Sequence, residues 1–322
     1  MLGAARTRRP AAAHAVRPGA RRARAGGRTG LGRRAQVGRG PPPTAQRRGG
    51  DRAVREPAQA QGVTTYFNRL RRAAEERRTQ LCVGLDPDPE RIPGGAAGAL
   101  RHCMRVVDAT SEHACCYKPN SAFWEQYGPD GWTALLELRG YIGNETPVLL
   151  DAKRADVGNT MRAYARAVFE TLDMDACTVH AYHGSDSIQE FTRYADRGVY
   201  LVCRTSNPGA ADLQHLDAGG RPLYLRVAEL GERNNSEGNI ALVVGATAPE
   251  QIREVRAASP LPFLIPGVGA QGGDLEVSVR AAWNGDPASC LIASSRAVLY
   301  AEDPAAAARD LKEAINSVLA AV

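Results

Sequence analysis

Several features that would place a protein in a membrane, disulfide-rich or zinc-binding class are missing from this sequence of 322 residues. No stretch approaches the roughly 20 continuous apolar residues that a membrane-spanning helix needs. The seven cysteines include no C-x-x-C pair, and several of them lie inside apolar runs. We therefore expect buried, reduced thiols in a cytoplasmic protein, and neither a disulfide framework nor a zinc site.

Acidic residues are absent from the first 50 positions, which hold 13 of the 41 Lys and Arg residues of the chain. The formal net charge of +6 is therefore misleading. The remaining residues carry 28 basic and 35 acidic side chains, a net charge of −7. An acidic folded part gives no indication of a nucleic-acid-binding surface.

Large apolar residues are scarce in residues 1–62, which are rich in Ala, Arg, Gly and Pro. Such a segment cannot bury enough surface to offset the entropy of ordering, so we expect a disordered extension. Three interpretations stay open: an organellar transit peptide, an electrostatic tail for nucleic acid or membrane, and a dispensable extension from an upstream start codon. A secretory signal peptide is disfavoured because the segment has no continuous apolar core.

Residues 63–322 show eight short apolar runs, each followed by a helical stretch, and are predicted to form one folded domain. Strands that are apolar on both faces and alternate with helices indicate a parallel sheet covered by helices. Eight repeats over this length predict a (β/α)8 TIM barrel. An open doubly wound sheet is the alternative, disfavoured because no G-x-G-x-x-G follows an early strand. The predicted strands are Leu81–Leu85, Cys115–Lys118, Val148–Asp151, Ala176–His180, Val199–Cys203, Ile240–Val244, Phe263–Pro266 and Cys290–Ala293.

Polar residues follow most of these strands, where the active sites of such barrels lie. The third strand carries Asp151 and Lys153, which share a face if the strand is regular, and Asp156 falls just beyond it. With Lys118 from the second strand, these residues can form a row of alternating charges. An ammonium held beside a reacting carbon can stabilise a developing carbanion and then donate a proton. A carboxylate nearby would repel a substrate carboxylate, so the row indicates decarboxylation without a cofactor; a structural ion-pair network is the alternative.

A glycine-rich turn, residues 267–273, follows the seventh strand, and Arg296 follows the eighth. Glycines allow backbone N–H groups to approach an anion closely, and phosphate sites of barrels are often built from these two loops. An arginine there can bind a phosphate through two hydrogen bonds. Together these features predict a small phosphorylated substrate.

Four motifs in this order resemble those of the orotidine 5'-phosphate decarboxylase family, in particular its bacterial members. They are Tyr117–Phe123 (YKPNSAF), Asp151–Thr160 (DAKRADVGNT), Arg204–Gly209 (RTSNPG) and Pro266–Gly273 (PGVGAQGG). The resemblance covers about residues 64–322. Ala155 departs from it, since glycine is expected at that position.

The resemblance implies a barrel homodimer with shared active sites that converts orotidine 5'-monophosphate to UMP and CO2 without metal or organic cofactor. It implies that Lys153 protonates C6 of the pyrimidine and that Asp151 faces the substrate carboxylate. Asp156 and Thr160 would reach into the active site of the neighbouring subunit. Lys118 would pair with Asp151 and contact the ribose.

The same resemblance assigns the remaining substrate contacts. Asp86 would bind the ribose hydroxyls, and Ser206 would read the edge of the pyrimidine. Gln271, Arg296 and the backbone of Gly269 would hold the phosphate. His180 is predicted to be a packed or supporting residue without a direct part in the chemistry.

Two rival functions stay open at this point. A magnesium-dependent sugar-phosphate decarboxylase or aldolase would share the Asp-x-Lys-x-x-Asp strand, but Lys118 stands where such enzymes place an acidic ligand, and an ammonium would repel Mg²⁺. A catalytically inactive phosphate-ligand sensor, with the Arg-rich segment as its binding arm, is the second rival. Every expected charged residue is present, which favours the enzyme.

Overall fold

A computed structural model describes residues 65–247, 249–268 and 274–322 of the chain. Eight parallel strands within these ranges form a single sheet that closes into a (β/α)8 barrel, as predicted. The predicted extension, residues 1–62, lies outside the described residues. The strands are β1 (Leu81–Gly84), β2 (Cys116–Lys118), β3 (Leu149–Arg154), β4 (Ala176–His180), β5 (Gly198–Arg204), β6 (Ile240–Val244), β7 (Phe263–Pro266) and β8 (Cys290–Ser294).

Neighbouring strands follow chain order around the barrel, with β8 beside β1. The last gap, between β2 and β3, is joined by two parallel bridges, Tyr117 to Val148 and Asn120 to Asp151. The backbone N–H of Asp151 donates to the carbonyl of Pro119 at 2.9 Å. This closure brings Lys118 and Asp151, which are far apart in sequence, to neighbouring positions on the same rim.

Helices alternate with the strands and cover the barrel. Their bounds are α1 (Tyr66–Arg77), α2 (Gly95–Thr110), α3 (Ser121–Glu125), α4 (Pro129–Ile142), α5 (Gly158–Arg166), α6 (Ser185–Thr192), α7 (Ala211–Gln214), α8 (Leu223–Arg233), α9 (Pro249–Ala258), α10 (Leu275–Ala282), α11 (Arg296–Leu299) and α12 (Pro304–Leu319). A π-helical turn at Ala167–Thr171 continues α5. Within the described residues, no helix is both long enough and apolar enough to cross a membrane.

The strands are apolar on both faces, as the sequence predicts. Outward residues such as Val83 and Leu201 belong to the cluster that packs against the surrounding helices. Inward residues fill the barrel together with the apolar face of α1, whose Tyr66 is fully buried. The Tyr66 hydroxyl lies 3.1 Å from that of Tyr200 on β5. The described barrel is thus a packed core with α1 against it, and its chemistry has to lie at the strand ends.

All seven cysteines are buried, as predicted, and all are free thiols. Burial raises the pKa of several of them, and the pKa of Cys203 and of Cys290 reaches about 12. Thiols with such values stay protonated near neutral pH and behave as small apolar core residues.

Candidate active site

A cavity of about 480 Å³ opens at the carboxyl ends of the strands. Six of the ten predicted site residues line it, and they come from five different strands or the loops after them. They are Asp86, Lys118, Asp151, Lys153, Ser206 and Arg296. The location agrees with the rule that barrel active sites lie at this face.

Asp151 stands at the centre of the charged group and has four polar partners. Lys118 Nζ lies 3.2 Å from its Oδ2, and Lys153 Nζ lies 2.6 Å from its Oδ1. The Asn120 side-chain amide donates to Oδ2 at 3.3 Å, and the Thr178 hydroxyl donates to Oδ1 at 2.9 Å. The carboxylate is therefore fixed from both sides, which is the arrangement a buried charge requires.

The electrostatics follow from this geometry. Burial alone would raise the pKa of Asp151, but the neighbouring Lys118 and Lys153 and the hydrogen bond from Thr178 outweigh burial and hold that pKa well below its usual range. Burial alone would lower the pKa of Lys118, but the carboxylates of Asp86 and Asp151 raise it above its ordinary value. Both groups are thus charged over the whole physiological pH range.

Lys153 differs from its neighbours in exposure and in backbone conformation. Its side chain is 41% exposed, against 7% for Lys118 and 11% for Asp151, so its ammonium faces the open cavity. Its backbone has φ of 47°, in the left-handed region. That conformation costs a non-glycine residue about 1–2 kcal/mol, and strain of this kind is concentrated at functional sites.

A wide irregularity in the sheet produces this conformation. Leu150 pairs with Cys177 and Arg154 pairs with Val179, so three residues of β3 stand opposite Thr178 alone on β4. Asp151 and Lys153 therefore meet through a bulge, and the regular strand alternation assumed from the sequence is wrong at this point. A bulge re-aims side chains, and bulges are common next to active sites.

Asp86 lies on the loop after β1 and faces the second and third strands. Its Oδ1 accepts the backbone N–H of Asn120 at 2.9 Å. Asn120 in turn reaches Asp151, so the two carboxylates and Lys118 form one continuous polar network. Among the described residues, the hydrogen bond from Asn120 is the one that the Asp86 carboxylate accepts. Asp86 also lines the cavity.

Ser206 is held on a loop that a glutamine fixes to α7. The Gln214 side chain accepts the backbone N–H of Thr205 at 3.0 Å and donates to the Thr205 hydroxyl at 2.8 Å. The Ser206 carbonyl accepts a hydrogen bond from the Thr247 hydroxyl at 3.3 Å. Both Thr205 and Ser206 line the cavity.

Arg296 is the first residue of α11 and lines the cavity on the β8 side. Gly267, with φ of 98°, lies at the β7 side of the same cavity and needs the conformational freedom of glycine. Gly269 and Gln271, the other two predicted phosphate contacts, lie outside the described residues. The described part of the predicted phosphate site is therefore one arginine and the start of the glycine-rich turn.

Asp156 and Thr160 are not among the described residues that line the cavity of their own chain. Asp156 caps the loop before α5: its Oδ1 accepts the backbone N–H of Val157 at 2.7 Å, and its carbonyl accepts from the Ser187 hydroxyl at 2.6 Å. Val157, the residue after Asp156, is 51% exposed.

His180 lies apart from this cavity, in a second one of about 440 Å³ between the end of β4 and α8. Burial and the nearby charge of Lys153 lower the pKa of His180. The imidazole is therefore neutral near pH 7.

Several polar residues that line the cavity were not predicted as site residues, among them Arg91, Thr205 and Tyr300. The Arg91 guanidinium lies 3.7 Å from the centre of the Tyr300 ring, a cation–π contact. The Tyr300 hydroxyl donates to the carbonyl of Asp86 at 2.9 Å and accepts the N–H of Asp88 at 2.9 Å. These contacts fix the loop after β1. The strand-end rule could have selected Thr205, which is next to Ser206, but gave no signal for Tyr300.

The arrangement can bind a small anionic molecule and act on it electrostatically. Lys118 and Lys153 bracket one carboxylate, and Arg296 lines the same cavity after β8, which is three strands from β3 around the barrel. The partly exposed ammonium of Lys153 is placed to donate a proton into the cavity. Among the described residues, no group of three or more His, Cys, Asp or Glu side chains is placed to hold a metal ion.

Comparisons with known proteins agree with this chemistry. The model of the orotidine 5'-phosphate decarboxylase / HUMPS family matches residues 79–311. Orotidine 5'-phosphate decarboxylase of Roseiflexus castenholzii is 48% identical over 271 residues, which are 80% of this chain and 99% of that protein. The enzyme of the same name from Halorubrum lacusprofundi is 49% identical over 248 residues, 74% of this chain and 88% of that protein.

Solved structures give the same result. The structure of Leishmania donovani OMP decarboxylase superposes with a TM-score of 0.74 at 44% identity and covers 79% of this chain and 98% of that one. A Toxoplasma gondii structure described as an orotidine-monophosphate-decarboxylase superposes with a TM-score of 0.77 at 39% identity, covering 80% of this chain and 98% of that one.

Proposed function

The chain belongs to the orotidine 5'-phosphate decarboxylase / HUMPS family and decarboxylates orotidine 5'-monophosphate to UMP in pyrimidine biosynthesis, and we propose that Lys153 donates the proton to C6. The observation that supports this role is the ammonium of Lys153, held 2.6 Å from Asp151 and exposed to the cavity. Lys118 pairs with the same carboxylate from the other side. Loss of the Asp151 carboxylate would remove the ion-pair partner of Lys153 and one of the two carboxylates beside Lys118.

The reaction breaks the bond between C6 of the pyrimidine and its carboxylate. Carbon dioxide leaves, and the electron pair of that bond stays on C6. The Lys153 ammonium lies beside the developing negative charge, stabilises it, and transfers a proton to C6 to form the C–H bond of UMP. Asp151 faces the substrate carboxylate and repels it. The negative charge moves from that carboxylate to C6 in the transition state, so Asp151 and Lys153 together favour the transition state over the bound substrate.

The rest of the cavity would bind the nucleotide. Asp86 and Lys118 bind the ribose hydroxyls, Ser206 binds the pyrimidine edge, and Arg296 binds the phosphate together with Gln271 and the backbone of Gly269. The phosphate is remote from C6, so its binding energy can be used to hold the reacting carbon against Lys153. No metal or organic cofactor takes part in this scheme.

We further propose a homodimer in which Asp156 and Thr160 complete the site of the partner subunit. Both residues stand at the rim but line no part of their own cavity. The exposed Val157 next to Asp156 is an apolar residue suited to such a contact. We also propose a cytoplasmic location, because seven buried free thiols suit a reducing compartment.

Mixed dimers test the proton donor and the shared site together. The variants Lys153→Ala and Asp156→Ala should each lose at least about 100-fold in kcat, because each removes one member of the charge row. When the two are mixed and exchange subunits, one site of every hybrid dimer contains both residues and should regain turnover. Lys312→Ala, which removes a partly exposed lysine on α12 whose ammonium donates to the carbonyl of Glu112 away from the cavity, is the control.

Two outcomes would count against these roles. Turnover of Lys153→Ala close to that of the unaltered protein would contradict the proton donor. No recovery in mixtures with confirmed subunit exchange would contradict the shared site, while leaving the reaction itself unaffected.

A further inference from the structure

Thr178 occupies an unusual position beneath the cavity. It lies in the middle of β4, its side chain is fully buried, and it is the single residue opposite Asp151, Ala152 and Lys153 at the bulge in β3. A bulge interrupts the ladder of backbone hydrogen bonds, so some N–H groups of β3 lose their regular partner. A buried N–H without a partner is costly, which makes the replacement partner informative.

The Thr178 hydroxyl supplies that replacement. Its oxygen accepts the backbone N–H of Lys153 at 2.9 Å. The same hydroxyl donates its proton to Asp151 Oδ1 at 2.9 Å. One side chain therefore ties the strained backbone of Lys153 to the carboxylate that its own ammonium contacts.

We propose that Thr178 is a positioning residue for the decarboxylation: its hydroxyl holds the left-handed backbone of Lys153 and the rotation of Asp151, and so aims the Lys153 ammonium at the reacting carbon. The inference rests on the proposed roles of Lys153 and Asp151 and adds a residue that touches neither substrate nor product. Thr178 does not line the cavity. Its effect has to act through the two residues that it binds.

The geometry separates this role from ordinary packing. Valine has the shape of threonine without the hydroxyl, so it would fill the same space between Cys177 and Val179 on β4. It could neither accept the Lys153 N–H nor donate to Asp151. The backbone at Lys153 would then lose its constraint, and a misplacement of about 1 Å at a reacting group can cost about 100-fold in rate.

The test compares Thr178→Val and Thr178→Ser with the unaltered protein. Thr178→Val should lower kcat by about 10- to 100-fold, with KM for orotidine 5'-monophosphate and Kd for UMP changed by less than about threefold. This split is expected because the groups that bind phosphate and ribose are untouched. Thr178→Ser keeps the hydroxyl and should stay within about threefold of the unaltered kcat.

A matched control is Thr79→Val, at the opposite end of the barrel. Thr79 is also fully buried, its hydroxyl donates to the carbonyl of His113 at 2.9 Å, and it accepts the N–H of Leu81 at 3.1 Å. Its loss removes the same two types of hydrogen bond far from the cavity. It should lower Tm but leave kcat within about twofold.

The outcomes are distinguishable. If the unaltered protein does not convert orotidine 5'-monophosphate, the proposed function fails, and the inference with it. If it does, an unchanged kcat in Thr178→Val overturns the inference alone. A kcat loss matched by an equal loss of UMP affinity, or no rescue by serine, shows general disruption and also overturns it. If Thr178→Val does not fold, Thr178→Ala takes its place. Its kcat and its Kd for UMP are then compared with those of the unaltered protein and of Thr178→Ser.

Discussion

At the residue scale, the site is governed by how one buried carboxylate is compensated. Asp151 would be strongly disfavoured as an isolated charge in this position, yet two ammonium groups, an amide and a hydroxyl surround it. The arrangement supports ionisation of Asp151 and, in turn, keeps Lys118 charged although it is buried. Asp151 and Lys118 therefore stabilise each other's ionised form.

Replacement of Asp151 gives a prediction for stability against pH. Its pKa is depressed in the folded state, so its contribution is complete above the unfolded pKa of about 3.9 and is lost as pH falls through the lower folded value. Asp151→Asn should therefore lower the free energy of unfolding by about 3 kcal/mol at pH 7, since it leaves Lys118 buried without its carboxylate. The difference between the two proteins should shrink as pH falls below about 4.

Urea unfolding of both proteins at pH 7, 5 and 3.5 measures this difference. An equal difference between pH 7 and pH 5 is expected, because Asp151 is ionised at both values. A difference that already disappears between pH 7 and pH 5 would mean that the pKa of Asp151 is raised above its usual range, which would contradict the account.

The sequence predicted these charged residues but not the residues that hold them in place through hydrogen bonds. Asp151, Lys153 and Lys118 could be selected because charges at the ends of apolar runs are rare and need partners. Thr178 could not be selected, because a threonine inside a β-strand is ordinary, and its role exists only through the bulge in the neighbouring strand. Tyr300 was missed for a similar reason: it acts on the loop after β1 from more than 200 positions further along the chain.

At the scale of elements, the strands were the most predictable part of the chain. The bounds of β4, β6 and β7 agree with prediction at both ends, because short runs of β-branched and other apolar residues are limited by polar or turn-forming neighbours. The segment between β2 and β3 forms two helices, α3 and α4, and not one continuous helix. Gly128 has φ of 64° and Pro129 starts α4, so the chain breaks there.

The approach of β1 to β8 gives a prediction at the same scale. A Cβ atom added at Gly84 would lie 2.5 Å from the Cβ of Ser295, next to Arg296. Gly84→Ala should therefore push the two strand ends apart, lower the free energy of unfolding by about 1–3 kcal/mol, and weaken UMP binding through displacement of Arg296. Thermal melting and UMP titration measure the two effects.

Gly140→Ala is the matched control. Gly140 lies on the exposed side of α4, and an added Cβ there meets nothing within 4 Å. Alanine should stabilise the helix by about 0.5–1 kcal/mol without an effect on UMP binding. If Gly84→Ala behaves like Gly140→Ala, the strand ends are not packed as closely as described.

At the scale of the whole molecule, the barrel separates chemistry at one end from stability at the other. Asp175, at the amino-terminal end of β4, is 1% exposed and lies 2.6 Å from Arg69 of α1 and 3.5 Å from Arg139 of α4. It also accepts the N–H of Val148 at 2.8 Å. The Asp175 carboxylate therefore joins α1 and α4 to the amino-terminal end of the barrel, opposite the cavity.

Asp175→Asn should therefore lower stability without an effect on turnover. Asparagine cannot compensate these arginines or Arg197, which lies 3.8 Å from Asp175, and loss of one partner of a buried ion pair costs about 3–5 kcal/mol. We expect a clear fall in Tm, with kcat within about twofold at a temperature where the protein is folded. Asp310→Asn, which breaks an exposed pair with Arg309, should change stability by less than about 1 kcal/mol. A large fall in kcat for Asp175→Asn would contradict the separation.

The central claim is that this barrel decarboxylates orotidine 5'-monophosphate with its own charged residues alone. The most direct measurement is the loss of substrate absorbance with purified protein in EDTA, with UMP identified as the product. The account predicts rapid conversion at the same rate with and without EDTA. Absence of conversion by folded protein, or activity that is lost in EDTA and restored by Mg²⁺, would contradict it.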